Sequence, residues 1–232
     1  MATAVGASPR PWRERILEVK APPHEVPRTY TRLAPVYEAW ARLTESAARR
    51  RVLELAAPRA EDDVLEVATG TGVQLVRLAQ ASPVGRTVGV EPSEGMLRQT
   101  RRRLRAAGLD EVKTLAASAL ALPLPDHSFD LVVNGYMLDL LPREDIPRAL
   151  SEFKRVLRPG GRVVLSNMTV GERRRHRVWD WAYEHGVVLT ANCRGVLAAP
   201  VLAELGFADV SREYLAQMSF PTEIVTARKE TT

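Results

Sequence analysis

Val64-Leu65-Glu66-Val67-Ala68-Thr69-Gly70-Thr71-Gly72 is the stretch that decides the fold of this chain. Asp63–Val67 reads as a short apolar strand with an acid, Glu66, near its end. The turn that follows carries two glycines, and Val73–Ala81 behind it has helical spacing. A buried strand, a tight glycine turn and a helix in that order are the first half of a βαβ unit. In open α/β sheets ligands sit at the carboxyl ends of the strands, so this turn faces a crevice.

Working outward, the same alternation recurs. Thr87–Glu91 is a second strand, and Ser93–Ala107 a helix with Ser93 as its cap and Glu94 as a first-turn acid. Gly108 stands where a left-handed helix end is expected. Val112–Leu115 and Phe129–Asn134 are a third and fourth strand. Arg143–Leu157 is a helix closed by Pro159-Gly160-Gly161, and Arg162–Asn167 is a fifth strand. Strands separated by helices predict a parallel sheet covered on both faces. The rhythm then changes. Glu172–Gly186 and Val196–Leu205 read as helices, and Val210–Tyr214 with Glu223–Ala227 as an antiparallel hairpin at one sheet edge.

Upstream, residues 1–28 read as a flexible arm with Pro9, Pro11, Pro22, Pro23 and Pro27, which block regular hydrogen bonding. Within it Trp12, Ile16, Leu17 and Val19 suit one short amphipathic turn, docked on the parent domain or touching a membrane. Residues 29–57 read as a helical cap broken at Pro35. The predicted architecture is α/β: a Rossmann-like, seven-stranded, mostly parallel sheet with helices on both faces. It carries the N-terminal helical cap and a small insertion after the fifth strand, residues 170–197, as an acceptor-side lid on a domain spanning 29–232.

Composition excludes several classes. Apolar residues make up 45% and charged residues 26%, ordinary values for a globular domain with a buried core. The single cysteine, Cys193, allows no internal disulfide and no cysteine-built zinc site. His24, His127, His176 and His185 lack ligand spacing, so no metal is expected. The start of the chain lacks a signal-peptide pattern and no long apolar run occurs, which points to a cytoplasmic protein without stable membrane insertion. A peripheral membrane contact stays open. The formal charge is +5, with arginine clusters at Arg49–Arg51, Arg101–Arg103 and Arg173–Arg175. The two helical clusters have no interleaved aromatics and read as solvated faces, so no nucleic-acid partner is expected. Nothing in the sequence speaks to oligomeric state.

Two cofactor chemistries compete for the glycine turn. A pyrophosphate fingerprint needs glycines at the first, third and sixth places. Counted from Gly70, Gly72 fits but Leu75 takes the sixth place. A free carboxylate at Glu66 suits a ligand with an ammonium and a sulfonium rather than phosphates. The second strand, Val88-Gly89-Val90-Glu91, also ends in an acid, where a carboxylate takes both hydroxyls of a ribose.

With these residues placed, the chain resembles the class I S-adenosylmethionine-dependent methyltransferases, and most of all their ubiquinone/menaquinone-biosynthesis group. The similar stretches are Arg32–Tyr37, Val64–Gly72, Gly89–Leu97, Ala121–Val132 (with Leu-Pro-Leu-Pro-Asp-His-Ser-Phe-Asp-Leu-Val), Phe153–Leu165 and Gly206–Ala227. The resemblance implies S-adenosyl-L-methionine as cofactor and S-adenosyl-L-homocysteine as product. It places Ala68, Gly70, Thr71 and Gly72 along the methionyl part, with Glu66 at the ammonium directly or through water. Glu91 would hold the ribose. Pro92, Ser93 and Met96 would border the adenine, and Ser118 and Ala119 would meet its edge. Asn134 would lie beside the methionyl group and Tyr37 would close the site. Three positions depart from the pattern: Ala68 replaces a usual glycine, Ser118 an acid or asparagine, and Asn134 a frequent acid.

Methyl transfer from a sulfonium needs alignment and desolvation above all, and a base only where the acceptor starts protonated. Asp139 after the fourth strand and His185 in the insertion are the catalytic candidates, with Tyr136 nearby. Trp179 and Tyr183 share a helical face, for an acceptor or for core packing. Asn134-Gly135-Tyr136-Met137 differs from the Pro-Pro-aromatic sequence of amino-methylating DNA enzymes. Cys193 is misplaced for cytosine-C5 chemistry, a lone thiol does not serve arsenic methylation, and Ser166-Asn167 replaces the Asp-Asn pair of metal-assisted catechol methylation. A small, lipophilic or aromatic acceptor remains, quinone-precursor-like or a natural product. The alternatives are a phospholipid-headgroup N-methyltransferase and a cofactor-binding protein without transferase activity.

Overall fold

The computed structural model describes residues 11–19, 44–173, 176, 178–185, 194–218 and 220–231. In chain order these form α1 (Trp12–Arg15), α2 (Ser46–Ala56), β1 (Val64–Val67), α3 (Val73–Ala81), β2 (Thr87–Val90), α4 (Glu94–Ala106), β3 (Lys113–Leu115) and β4 (Phe129–Gly135). A short 3-10 turn (Leu138–Leu140) follows, then α5 (Asp145–Val156), β5 (Leu157–Met168), α6 (Val178–Glu184), α7 (Ala198–Glu204), β6 (Phe207–Gln217) and β7 (Phe220–Lys229). The seven strands make one sheet in the order β3-β2-β1-β4-β5-β7-β6. Strands β1 to β5 run parallel, and β7 lies antiparallel between β5 and β6.

Alternation along the strands sorts the core into two faces. Leu65 and Val67 of β1, Val132 of β4 and Leu165 of β5 point to one side, against Ile146, Leu150 and Phe153 of α5 and Val201 of α7. Val64, Leu131, Val133 and Val164 point to the other, against Ala48, Val52 and Ala56 of α2 and Leu78 of α3. Each large side chain so buried contributes about 1.5–3 kcal/mol, which is why α5 needs no strong cap to stay in place. Glu66 shares the α2 side with Val64, the one acid among these apolar positions.

Local signals explain the helix ends. The Ser93 hydroxyl accepts the Met96 N–H at 3.3 Å and starts α4. At its far end Gly108 has φ +70°, the left-handed conformation glycine adopts without cost. The Pro159-Gly160-Gly161 segment differs from expectation: it lies inside β5, not between helix and strand. The pairing with β4 slips there, from Phe129–Leu157 to Leu131–Arg162, so the proline and glycines form a bulge after the first strand residue. The insertion helix is also shorter than the spacing predicted, Val178–Glu184 against Glu172–Gly186.

Of the predicted arm, Pro11–Val19 lie against the core. Trp12 and Ile16 are buried, and Trp12 Nε1 donates to Glu204 at 2.9 Å. Arg143 ties the same segment down through Glu18 at 2.6 Å, while the Tyr183 hydroxyl donates to the Glu18 carbonyl at 2.8 Å. Of the helical cap, 44–57 is described. Among the described residues, no helix is long and apolar enough to cross a membrane.

Candidate functional site

The two ends of the sheet differ in chemistry. At the amino ends of the strands, Arg158 bridges Asp63 and Asp130, and Arg162 meets Asp62 at 2.5 Å. Charge is matched there by charge. At the carboxyl ends the backbone turns sharply and polar atoms are left facing space. Ala68, Gly70 and Gly72 all have positive φ, +60°, +55° and +79°. A methyl group in that region costs roughly 1–2 kcal/mol relative to glycine, so Ala68 holds its place under strain. A Cβ added to Gly70 would meet nothing within 4 Å, which leaves its face open to a ligand. A Cβ on Gly72 would stand 2.8 Å from Thr100 Cγ2 and 3.0 Å from its Cα. Gly72 is thus required by the packing of α4 behind the turn.

Two adjoining cavities open in front of that turn. The larger, about 270 Å³, is lined by Ala68, Gly70, Glu91, Pro92, Ser93 and Met96 from the β1 and β2 ends, with Ala117–Leu120 after β3. Its remaining wall is Val67, Gly135–Met137, Leu140–Pro142 and Asp145. The smaller, about 40 Å³, is lined by Arg49, Glu66, Gln74, Asn134 and Ser166 among others. Ala68, Gly70, Gly135 and Tyr136 line both, and so form the neck between them.

Glu91 is the charged group of the larger cavity. Its Oε2 accepts the Gly70 N–H at 2.9 Å and its Oε1 accepts the Ser93 N–H at 2.8 Å. Each oxygen retains acceptor capacity for a further donor, such as a ribose hydroxyl. Burial pushes the carboxyl up to about 7, with the Ser93 and Gly70 N–H groups pulling it partly back. The carboxylate therefore anchors the glycine turn and the start of α4 while facing the cavity.

The smaller cavity collects buried polar atoms without hydrogen-bond partners: Glu66 Oε2, both amide atoms of Gln74, and Asn134 Oδ1. Asn134 spends its Nδ2 on the Val67 carbonyl at 2.8 Å. Burial holds the Glu66 carboxyl well above the usual range, and the Glu91 charge pushes the same way; Arg49 opposes them. A buried acid in this state ionises when a cation arrives beside it. An ammonium group fits these residues, and an anhydride of phosphates does not. Arg49, ion-paired to Glu45 at 2.7 Å, supplies positive charge on the α2 side.

Most of the residues singled out in the sequence come together here. Ala68, Gly70, Glu91, Pro92, Ser93, Met96, Ser118 and Ala119 line the larger cavity, and Glu66 and Asn134 the smaller. Thr71 and Gly72 line neither and sit behind the turn. Tyr37 lies outside the described residues. The two catalytic candidates are elsewhere: Asp139 is fully buried in the 3-10 turn, in the field of the buried Arg194, and lines neither cavity. His185 is exposed, stacked on Trp181 at 4.5 Å with its Nδ1 2.8 Å from the Trp181 carbonyl. Trp179 packs edge-on against Phe220 at 5.3 Å, a core contact.

Several lining groups, among them Gln74, Leu140, Leu141 and Asp145, escaped sequence reasoning. Gln74 lies on an apolar helix face, and Leu140, Leu141 and Asp145 follow β4 in what reads as a core run. Tyr136 was visible as a candidate. Its φ of +51° and the hydrogen bond between its hydroxyl and that of Thr222, at 3.0 Å, set it against β7 at the neck.

Residues 64–161 match the methyltransferase domain family. The matched stretch runs from β1 into β5 of the Rossmann-like sheet and includes both strand-end acids, Glu66 and Glu91. It is similar to the demethylmenaquinone methyltransferase of Thermus thermophilus, 39% identical over 140 residues, 59% of this chain and 62% of that protein. It is also similar to the demethylmenaquinone methyltransferase of Symbiobacterium thermophilum, 44% identical over 108 residues, 46% of this chain and 42% of that one. The ubiquinone/menaquinone biosynthesis C-methyltransferase of Dinoroseobacter shibae is 38% identical over 115 residues, 49% and 45% of the two chains. The matched region thus spans between about two fifths and three fifths of these relatives' lengths. Among solved structures, the [4+2]-cyclase SpnF superposes with a TM-score of 0.73 at 19% identity, covering 93% of this chain and 100% of that one. A methyltransferase of Thermotoga maritima, described as a possible histamine N-methyltransferase, gives 0.68 at 22%, covering 88% and 99%. At such identities the likeness concerns the fold alone.

Proposed function

We propose that this protein transfers a methyl group from S-adenosylmethionine to a small, lipophilic or aromatic acceptor of the quinone-precursor kind. The observation that carries the cofactor half is the two-chambered cavity with Glu91 in one chamber and Glu66 in the other. In this reading the adenosine occupies the larger chamber, with Glu91 on the ribose diol. The methionyl end enters the smaller one, where Glu66 and Asn134 meet its ammonium. The cofactor supplies a methyl group already activated on a sulfonium. Everything else falls to alignment and exclusion of water by Tyr136, Met137 and Leu140.

The acceptor half rests on the names of the similar proteins, demethylmenaquinone and ubiquinone/menaquinone methyltransferases, and on the apolar wall of Met137, Leu140, Leu141 and Pro142. The second reading, a cofactor-binding protein without transferase activity, draws on the breadth of the fold's uses. A cyclase shares it over 93% of this chain, and Ala68, Ser118 and Asn134 depart from the methyltransferase pattern.

Calorimetry with S-adenosylhomocysteine and NAD, followed by turnover of methyl-labelled S-adenosylmethionine with a short-chain demethylmenaquinol (kept reduced so that its ring carbon attacks the methyl and releases a proton, the product being recovered as the quinone), separates the two. Binding of S-adenosylhomocysteine alone with labelled quinone as product is expected. NAD binding in its place refutes the cofactor reading. Cofactor binding without transfer to the quinol, or to any lipophilic phenol in a metabolite extract, refutes the transferase.

A further inference from the structure

The glycine turn is held from behind by α4, and the grip falls on consecutive peptide groups. The Thr100 hydroxyl donates to the Gly70 carbonyl at 2.8 Å and lies 3.5 Å from the Thr69 hydroxyl. One helical turn later, Arg103 donates to the Thr71 carbonyl at 2.5 Å and to its hydroxyl at 3.1 Å. Thr100 is fully buried. On the front, the Gly70 N–H is taken by Glu91. Both peptide planes that flank Gly70 are therefore fixed, one by a carboxylate and one by a hydroxyl.

Planarity gives this grip a direction. In a trans peptide the carbonyl and the next N–H point opposite ways. With the Gly70 carbonyl turned back to Thr100, the Thr71 N–H is turned away from α4 and the Gly70 peptide is held in one orientation. Glycine at φ +55° would otherwise let that plane rotate at little cost.

We propose that Thr100, seconded by Arg103, is a positioning residue for the cofactor. By holding the Gly70 carbonyl to the rear, it fixes the Gly70 peptide, whose open face lines both chambers, as the surface on which the methionyl carboxylate end is seated, while Arg103 holds the next carbonyl, that of Thr71. The same helix starts at Ser93, whose N–H is bound by Glu91, so α4 is a strut between the ribose carboxylate and the glycine turn. This rests on the cofactor reading above.

The test compares Thr100→Val, which keeps the shape and removes the hydroxyl, with Thr100→Ser, which restores it. Dissociation constants are measured by calorimetry for S-adenosylhomocysteine and for 5′-deoxy-5′-methylthioadenosine, which lacks the methionyl carboxylate. Melting temperatures are taken alongside. Loss of one oriented hydrogen bond predicts S-adenosylhomocysteine binding weaker by about fivefold to thirtyfold in Thr100→Val. Thr100→Ser should stay within about twofold of wild type, and the truncated ligand should lose less than about threefold in either variant. A loss below about threefold for S-adenosylhomocysteine, or an equal loss for both ligands, overturns the proposal whatever the melting temperature does. Should Thr100→Val not fold, Arg103→Met, at a half-buried position, is judged by the same ratio between the two ligands. Failure of the wild-type protein to bind either ligand would instead overturn the cofactor reading.

Discussion

On the proposed reading, in which Glu91 holds the ribose, its buried state makes cofactor binding depend on pH, with a size and sign that can be worked out. Burial raises this carboxyl to about 7 in the ligand-free protein. A ribose diol donates two hydrogen bonds and so selects the ionised form. The apparent dissociation constant then scales inversely with the ionised fraction. That fraction is about nine tenths at pH 8, about one tenth at pH 6 and about one hundredth at pH 5. Affinity for 5′-deoxy-5′-methylthioadenosine, which does not engage Glu66, should thus fall about tenfold from pH 8 to 6 and about a further tenfold to pH 5. S-adenosylhomocysteine should fall more steeply, because Glu66 is also raised by burial and must ionise against the ammonium. Ligand-free stability runs the other way. The folded state holds a proton on Glu91 that the unfolded chain has released between its ordinary value of 4.5 and about 7, so stability from this group falls across that window as pH rises. Calorimetry at four pH values on wild type and Glu91→Gln tests this, the variant losing affinity and the slope together. A flat wild-type profile between pH 5 and 8, or the same slope in Glu91→Gln, would refute the role of the carboxylate.

Two further substitutions probe the frame around the cavity. Gly72→Ala forces a methyl into the left-handed region and against Thr100, and should cost about 2–4 kcal/mol. Thermal melting checks it, and an unchanged midpoint would show that α4 can step back. Arg194→Leu removes the donor from the Leu141 carbonyl, 2.5 Å away, and the positive field beside buried Asp139. A loss of about 3 kcal/mol is expected, a midpoint lower by about 6–12 °C, with weaker S-adenosylhomocysteine binding because Leu140 and Leu141 line the cavity. Full stability in that variant would contradict the reading of Arg194 as the anchor of the 3-10 turn.

What could be read from the residues was whatever a local pattern encodes. Ser93 before Glu94, Gly108 after the helix and the alternation of Val64–Val67 each state their own conformation, and the chain order of strands and helices follows. The Pro159–Gly161 bulge was misread as a helix closure because proline and glycine signal a break without saying in which element it falls. The cavity-lining acids were legible where spacing couples an acid to a strand end, as for Glu66 and Glu91. Gln74, Thr100 and Arg103 were not, since each draws its role from an element distant in sequence. Asp139 and His185 were chosen for chemistry and chain position alone. Burial in a turn and stacking on Trp181 are tertiary facts that neither property contains.

The antiparallel strand β7 sets an order of events during synthesis. Tyr136, at the neck of the cavity, is braced by the Thr222 hydroxyl and by the Phe220 ring, 6.1 Å away. Both props belong to β7, the Thr222 hydroxyl being made 86 residues later. A ribosome that has released β1 to β5 has delivered the glycine turn, both carboxylates and the Ser166 carbonyl that holds the Tyr136 N–H at 2.7 Å, yet the Tyr136 side chain still lacks its two props. The pocket is therefore finished late, when β7 slides in beside β5. Cofactor captured by the newborn chain would report that the whole sheet, and not its parallel half, has closed.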